Sequence, residues 1–183
     1  MSEQGGRYQR SMGGMVGALV VTVAVIVAFV AFRAATRDDL VVDRPPVDYL
    51  TSVEGIQAGD GLPVVYPARL PDGWQATVVD YDVGTSWSLS LLTDEESFVG
   101  LRQGTDPVED LVEEFVDADA EEGEPVELDS QVAGTWRTFT DSGGDYAVAA
   151  EVEGTSVVVL GGAGEEQVRG FAESLVTTPL DPS

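Results

Sequence analysis

The chain has 183 residues, 43% of them hydrophobic, which is enough for one domain with its own core and a short appendage. Its 33 acidic residues face 9 basic ones, all arginine, and it has no lysine, histidine or cysteine. Those absences exclude disulfides, thiolate and imidazole metal sites, Ser-His-Asp and Cys-His nucleophiles, Schiff-base lysine and the P-loop lysine.

Charge is unevenly divided along the chain. Residues 1–37 carry Arg7, Arg10, Arg33 and Arg37 against Glu3, a net of +3, so the remainder holds −24 minus 3, or −27. A body this negative repels phosphate backbones, which speaks against nucleic acid and favours cations or basic proteins as partners.

Residues 1–10 read as a short cytoplasmic head. From Ser11 to Phe32 no residue is charged, and a helix of that length spans about 33 Å, the thickness of a bilayer core. The pattern predicts a transmembrane helix over 11–32, left uncleaved because the apolar run outlasts that of a signal peptide and no A-x-A site follows it. Arginines tie on the two sides, but a short head is easily retained and a long C-terminal body can be exported. This places the N-terminus in the cytoplasm and the body outside the cell membrane. Gly13 and Gly17 make one G-x-x-x-G step, a weak homodimerisation signal.

Residues 33–62 read as a juxtamembrane connector, stiffened by Pro45-Pro46 and loosened by Gly59, Asp60 and Gly61, with Val47, Leu50, Val53 and Ile56 spaced for a short helix. An acidic α+β domain is expected over 63–178 and a tail over 179–183. Strands are predicted near 64–66, 74–82, 87–92, 98–103, 135–140, 146–153 and 156–160. Trp87, Leu89 and Leu91 alternate with Ser88 and Ser90, the period of a half-buried strand. Asp141-Ser-Gly-Gly-Asp145 and Glu153-Gly154 supply hairpin turns.

Two amphipathic helices punctuate the strands. Asp106 is expected to cap the first, with Pro107 in its first turn, Glu109 completing a capping box and Val108, Leu111, Val112, Phe115 and Val116 on one face. Val168, Phe171, Ala172, Leu175 and Val176 repeat that spacing in the second. The fold class expected is therefore α+β: a transmembrane helix, then one domain with an antiparallel sheet and two or three amphipathic helices packed on one side.

Several strings in combination, Gly17-Ala-Leu-Val-Val-Thr22, Arg37-Asp-Asp-Leu40, Val47-Asp-Tyr-Leu50, Tyr66-Pro67 with Leu70-Pro-Asp-Gly-Trp74, Phe98-Val-Gly-Leu-Arg102 and Thr135-Trp-Arg-Thr-Phe139, resemble a family. It is the family of actinobacterial single-pass membrane proteins described as a domain of unknown function. The resemblance runs from the apolar segment to the final helix. It implies a high-GC Gram-positive host, a cytoplasmic N-terminus and an exported domain, and it brings no activity, cofactor or site residue. Tyr-Pro and Leu-Pro-x-Gly-Trp are also loosely similar to exported lipoprotein domains of the PsbP type, a likeness of fold that transfers no function.

Each local motif has a plain structural reading. Leu70 to Trp74 reads as a turn feeding a strand, and Trp74, Trp87 and Trp136 read as core residues before they read as a sugar platform. Asp141-Ser142-Gly143 matches the aspartic-protease triplet, but it falls on a turn and lacks a second copy. Asp117, Asp119, Glu121, Glu122 and Glu124 gather hard oxygen ligands, yet the spacing puts Glu122 where an EF-hand needs glycine and Leu128 where it needs glutamate. Asp141 and Asp145 are a second weak pair of that kind. Gly161-Gly-Ala-Gly164 before a helix suits phosphate, but Glu165 and Glu166 in the first turn repel it. Arg69, Arg102, Arg137 and Arg169 are expected to pair with carboxylates, Arg102 and Arg137 partly buried and bidentate on their strands.

No catalytic, cofactor-binding or metal site is expected. The sequence reads as a membrane-anchored, extracytoplasmic, non-catalytic envelope interaction module, with the bilayer as one partner and a protein or the cell wall as another. The alternatives are a carboxylate-dependent hydrolase of envelope glycans and a weak divalent-cation module.

Overall fold

The computed structural model describes residues 12–35, 46–59 and 61–180. The head 1–10 with Arg7 and Arg10, the connector positions Arg37, Pro45 and Asp60, and tail residues 181–183 lie outside the described residues. Contacts divide the chain into two units, Met1–Asp43 and Arg44–Ser183.

The first unit holds helix α1, Met12–Ala35. The expectation of a transmembrane helix over 11–32 is corrected: among the described residues no helix is long and apolar enough to cross a membrane. The side chains described along α1 are those of residues 16–17, 19–27 and 29. Gly17 has no heavy atom near the place of a Cβ.

The second unit is α+β, as expected. Helix α2, Tyr49–Gln57, starts at Asp48, whose carboxylate accepts the Thr51 N–H at 3.3 Å and the Thr51 hydroxyl at 2.7 Å. The strands are β1 (Tyr66–Pro67), β2 (Gln75–Asp82), β3 (Ser86–Leu92), β4 (Phe98–Gly104), β5 (Glu121–Glu122), β6 (Val126–Glu127), β7 (Thr135–Thr140), β8 (Tyr146–Val152), β9 (Thr155–Gly161) and β10 (Leu175–Val176). Helix α3 is Val108–Phe115 and helix α4 is Glu165–Glu173. One antiparallel sheet runs β2-β3-β4-β9-β8-β7-β5, with β6 also on β7. It is two meanders, β2-β3-β4 and β7-β8-β9, joined where β4 pairs with β9 and Arg102 lies opposite Val158.

The helices lie on both faces, not on one side. Side chains alternate across a strand, so Val157 and Val159 face one way and Val158 and Leu160 the other. Val157 and Val159 join the larger core with Trp87, Leu89, Leu101, Val53 of α2 and Phe171 of α4. Val158 and Leu160 join a smaller core with Val108, Leu111 and Val112 of α3. The reason is compositional: β8 and β9 are apolar on both faces and need a cover on each.

Three local expectations change. Pro107, not Asp106, stands at the N-cap of α3 without a side-chain cap bond, and Glu109 turns to Arg137 instead of closing a capping box. Leu175 and Val176 leave the last helix and pair with Tyr66 and Pro67 as the small sheet β10-β1. Residues 62–65 run beside the sheet without pairing in it, tied down by side chains: Gln103 Oε1 accepts the Val65 N–H at 2.8 Å, Gln103 Nε2 donates to the Pro63 carbonyl at 2.6 Å and to Thr155 Oγ1 at 2.8 Å, and Trp87 Nε1 donates to the Val65 carbonyl at 2.8 Å.

Candidate functional site

The site follows from where α3 settles. Its apolar stripe, Val108, Leu111 and Val112, packs on Ala147, Ala149, Val158 and Leu160 of β8 and β9, and so covers the second meander. The matching face of β2-β3-β4 is met by the end of α3 at β4, where Phe115 lies beside Arg102 and Leu111 near Gly104, and it is less covered than that of the second meander. On that face the register aligns Asp80 with Ser88 and Asp82 with Ser86, and Ser88 and Ser90 with Arg102 and Gly100. Between it and the last turn of α3 lies a trough of about 340 Å³, with Ser86, Ser88 and Arg102 on the floor and Asp80, Asp82, Asp106 and Glu114 around it.

Arg102 is the charged centre of the floor. Its Nη1 donates to the carbonyls of Leu89 at 3.2 Å and Leu101 at 2.9 Å, its Nη2 to Ser90 Oγ at 3.3 Å, and its guanidinium lies 5.4 Å from the centroid of the Phe115 ring. Gly100 keeps this spot open, since a Cβ there would meet Phe98 and the Arg102 Nη1. Burial lowers the Arg102 pKa, opposed by the charge of Asp80. Every partner it bonds is neutral. The expectation of a bidentate carboxylate pair is therefore wrong for Arg102, whose side chain the strand directs onto neighbouring carbonyls of the sheet.

The expectation holds for Arg137 on β7. Its Nε donates to Glu122 Oε1 at 2.7 Å, its Nη2 to Glu122 Oε2 at 3.0 Å, and its Nη1 to Glu109 Oε1 at 2.6 Å. This ties β5 and α3 to the sheet beside Phe139, over which the guanidinium sits at 5.1 Å. The same bonds pull the Glu122 and Glu109 carboxyls below their ordinary range and raise Arg137 further. Asp48 is likewise lowered, by its hydrogen bonds from Thr51. All three displaced carboxyls move down, opposite to the direction a general acid requires.

The remaining candidates fall on structural duties. Glu121 and Glu122 form β5, Asp117 Oδ1 accepts the Asp119 N–H at 2.8 Å, and Glu122 is held by Arg137, so the run Asp117 to Glu124 is dispersed. Among the described residues no group of three or more carboxylates is placed to hold a metal ion. Asp141 accepts the Asp145 N–H at 2.7 Å in the β7-β8 turn, where Gly144 has φ of 96°. Trp87 and Trp136 are buried, while Trp74 stacks on Phe171 with centroids 5.8 Å apart, so no sugar platform forms. Gly164 starts α4 at φ of 90°, followed by Glu165 and Glu166. Arg169 pairs with Glu165 at 2.8 Å and donates to the Tyr146 hydroxyl at 2.9 Å, and Arg69 is exposed. Sequence reasoning singled out Arg102 but not the trough. The Ser88-Ser90 alternation marked an uncovered face, yet no sequence signal says which meander α3 will cover.

The model of a family described as a protein of unknown function (DUF4245) matches residues 7–175, so the chain belongs to that family. No curated protein and no solved structure matches it.

Proposed function

We propose that the body of this chain is a non-catalytic interaction module of the cell envelope, held against lipid by α1 outside the cytoplasm and engaging a protein or the cell wall through the trough. The observation that carries the interaction reading is the half-covered sheet: α3 closes the face of the second meander and leaves that of β2 and β3 open, with carboxylates around it that form no ion pair among the described residues.

Lipid as a partner is supported by the apolar surface of α1. Val16, Leu19, Val20, Val21, Val23, Val25, Ile26, Val27 and Phe29 are each between 52% and 65% exposed, on every side of the helix. Apolar area left in water is unfavourable by about 25 cal/mol per Å², and acyl chains remove that penalty.

Proximity cross-linking in the native cell tests the reading, with the 183-residue chain compared with Ser88→Trp, whose new ring fills the trough from the uncovered face. The expected result is one envelope protein or wall fraction captured repeatedly by the wild type and lost in Ser88→Trp at unchanged melting temperature. Equal capture by both would take the trough out of the reading. Recovery of the chain in a buffer wash free of membranes would refute lipid as a partner.

A further inference from the structure

The trough has an unusual balance of groups. Asp80, Asp82, Asp106 and Glu114 border it, none in an ion pair among the described residues, while the one cation present, Arg102, bonds only neutral oxygens. A guanidinium has five N–H donors, of which Arg102 uses three within the protein, leaving two for a neutral acceptor from outside. The Ser86 and Ser88 hydroxyls bond nothing else among the described residues. Phe115 and Phe98, 39% and 37% exposed, offer apolar surface at two ends of the same face.

Each feature selects against a class of occupant. Four carboxylates against one guanidinium repel phosphate, sulfate and acidic peptides. A bare metal ion has no group of three carboxylates to enter among the described residues. A chain carrying both ammonium or guanidinium groups and backbone carbonyls satisfies every component: cations on the carboxylate rim, a carbonyl on the free donors of Arg102, and aliphatic stems along Phe115.

We infer that the trough over β2-β3-β4 is a docking site for a lysine- or arginine-bearing peptide segment of a partner protein, an inference that rests on the interaction reading above and names the partner's chemistry. The acidity of the whole body then steers such a partner toward the surface and the trough fixes its register.

The test is amide NMR of the 183-residue chain in non-ionic detergent, titrated with a capped hexapeptide of alternating lysine and serine. Parallel titrations use the glutamate-serine counterpart and a neutral N-acetylglucosamine hexamer. The expected result is lysine-peptide shifts concentrated on β2, β3, β4 and the last turn of α3, with affinity about tenfold weaker in Asp82→Asn/Glu114→Gln. Glu151→Gln/Glu153→Gln, which removes the same charge at the β8-β9 hairpin, should leave that affinity unchanged. Equal weakening by both pairs, shifts spread over the whole surface, or a trough that answers to the neutral glycan instead would overturn the inference. If the lysine peptide fails while Ser88→Trp still loses its cellular partner, the basic-peptide chemistry falls and the module stands. If Ser88→Trp keeps its partner, both fall.

Discussion

The two meanders are built alike, three antiparallel strands and then a helix, yet they are buried differently. All of β9 and all of β8 but Glu151 are buried, whereas β3 alternates, with Trp87, Leu89 and Leu91 inside and Ser86, Ser88 and Ser90 outward. The helix that follows the first meander explains the difference, because α3 crosses the join at β4-β9 and packs on the strands of the second. A continuous apolar run such as Val157 to Leu160 recruits two covers, and an alternating one such as Trp87 to Leu91 recruits one. Where the second cover is missing, the sheet face is free for something outside the domain.

Paired truncations probe that contrast most strongly. In β3, Leu89→Ala should cost about 2–5 kcal/mol and Ser88→Ala within about 0.5 kcal/mol, whereas in β9 Val158→Ala and Val159→Ala should each cost roughly 1.5–3 kcal/mol. Urea unfolding of the body reads all four. A Ser88→Ala cost as large as that of Leu89→Ala would mean the first meander is covered on both faces after all.

The seam between the meanders is next. Gln103 on β4 reaches both the 62–65 segment and Thr155 of β9, so Gln103→Leu removes the partner of the Val65 N–H and of the Pro63 carbonyl, at about 1–3 kcal/mol for each buried group left unpaired. Gly161 ends β9 where a Cβ would run into the Phe98 carbonyl, and Gly161→Ala should cost about 1–3 kcal/mol by forcing β4 and β9 apart. Thermal melts rank these two. A neutral Gly161→Ala would show that the seam yields and that the meanders move as separate halves.

Much of this was legible in the sequence, and the gaps have physical causes. Alternation located β3, and the Glu153-Gly154 turn, at φ of 50° and 84°, separated β8 from β9 as expected. Local pattern reports how many faces of an element are apolar but not which neighbour satisfies them. For that reason the cover on two faces, the pairing of Leu175 and Val176 with β1, and the trough itself appear only in three dimensions. Asp106 misled because the capping signal is local while the pull of Arg137 on Glu109 comes from β7. The membrane expectation rested on uncharged length from Ser11, whereas the described part of α1 does not support a crossing helix.

The smallest effect separates how α3 is held from where it lies. Arg137 keeps the Glu109 and Glu122 carboxyls depressed, so the stability these pairs supply is fully present above the ordinary glutamate value of 4.5. It is lost as pH falls through the lower folded values. Arg137→Gln should therefore lower the melting temperature by less than any core or seam variant above, by a constant amount between about pH 6 and 8. The gap from wild type should begin to narrow below about pH 4.5 and close as the solution is acidified through the depressed folded values, where both chains come to carry protonated glutamates. A gap that persists at acid pH would instead assign the contribution of Arg137 to its stem and its stacking on Phe139, leaving α3 fixed over the second meander by Val108, Leu111 and Val112 alone.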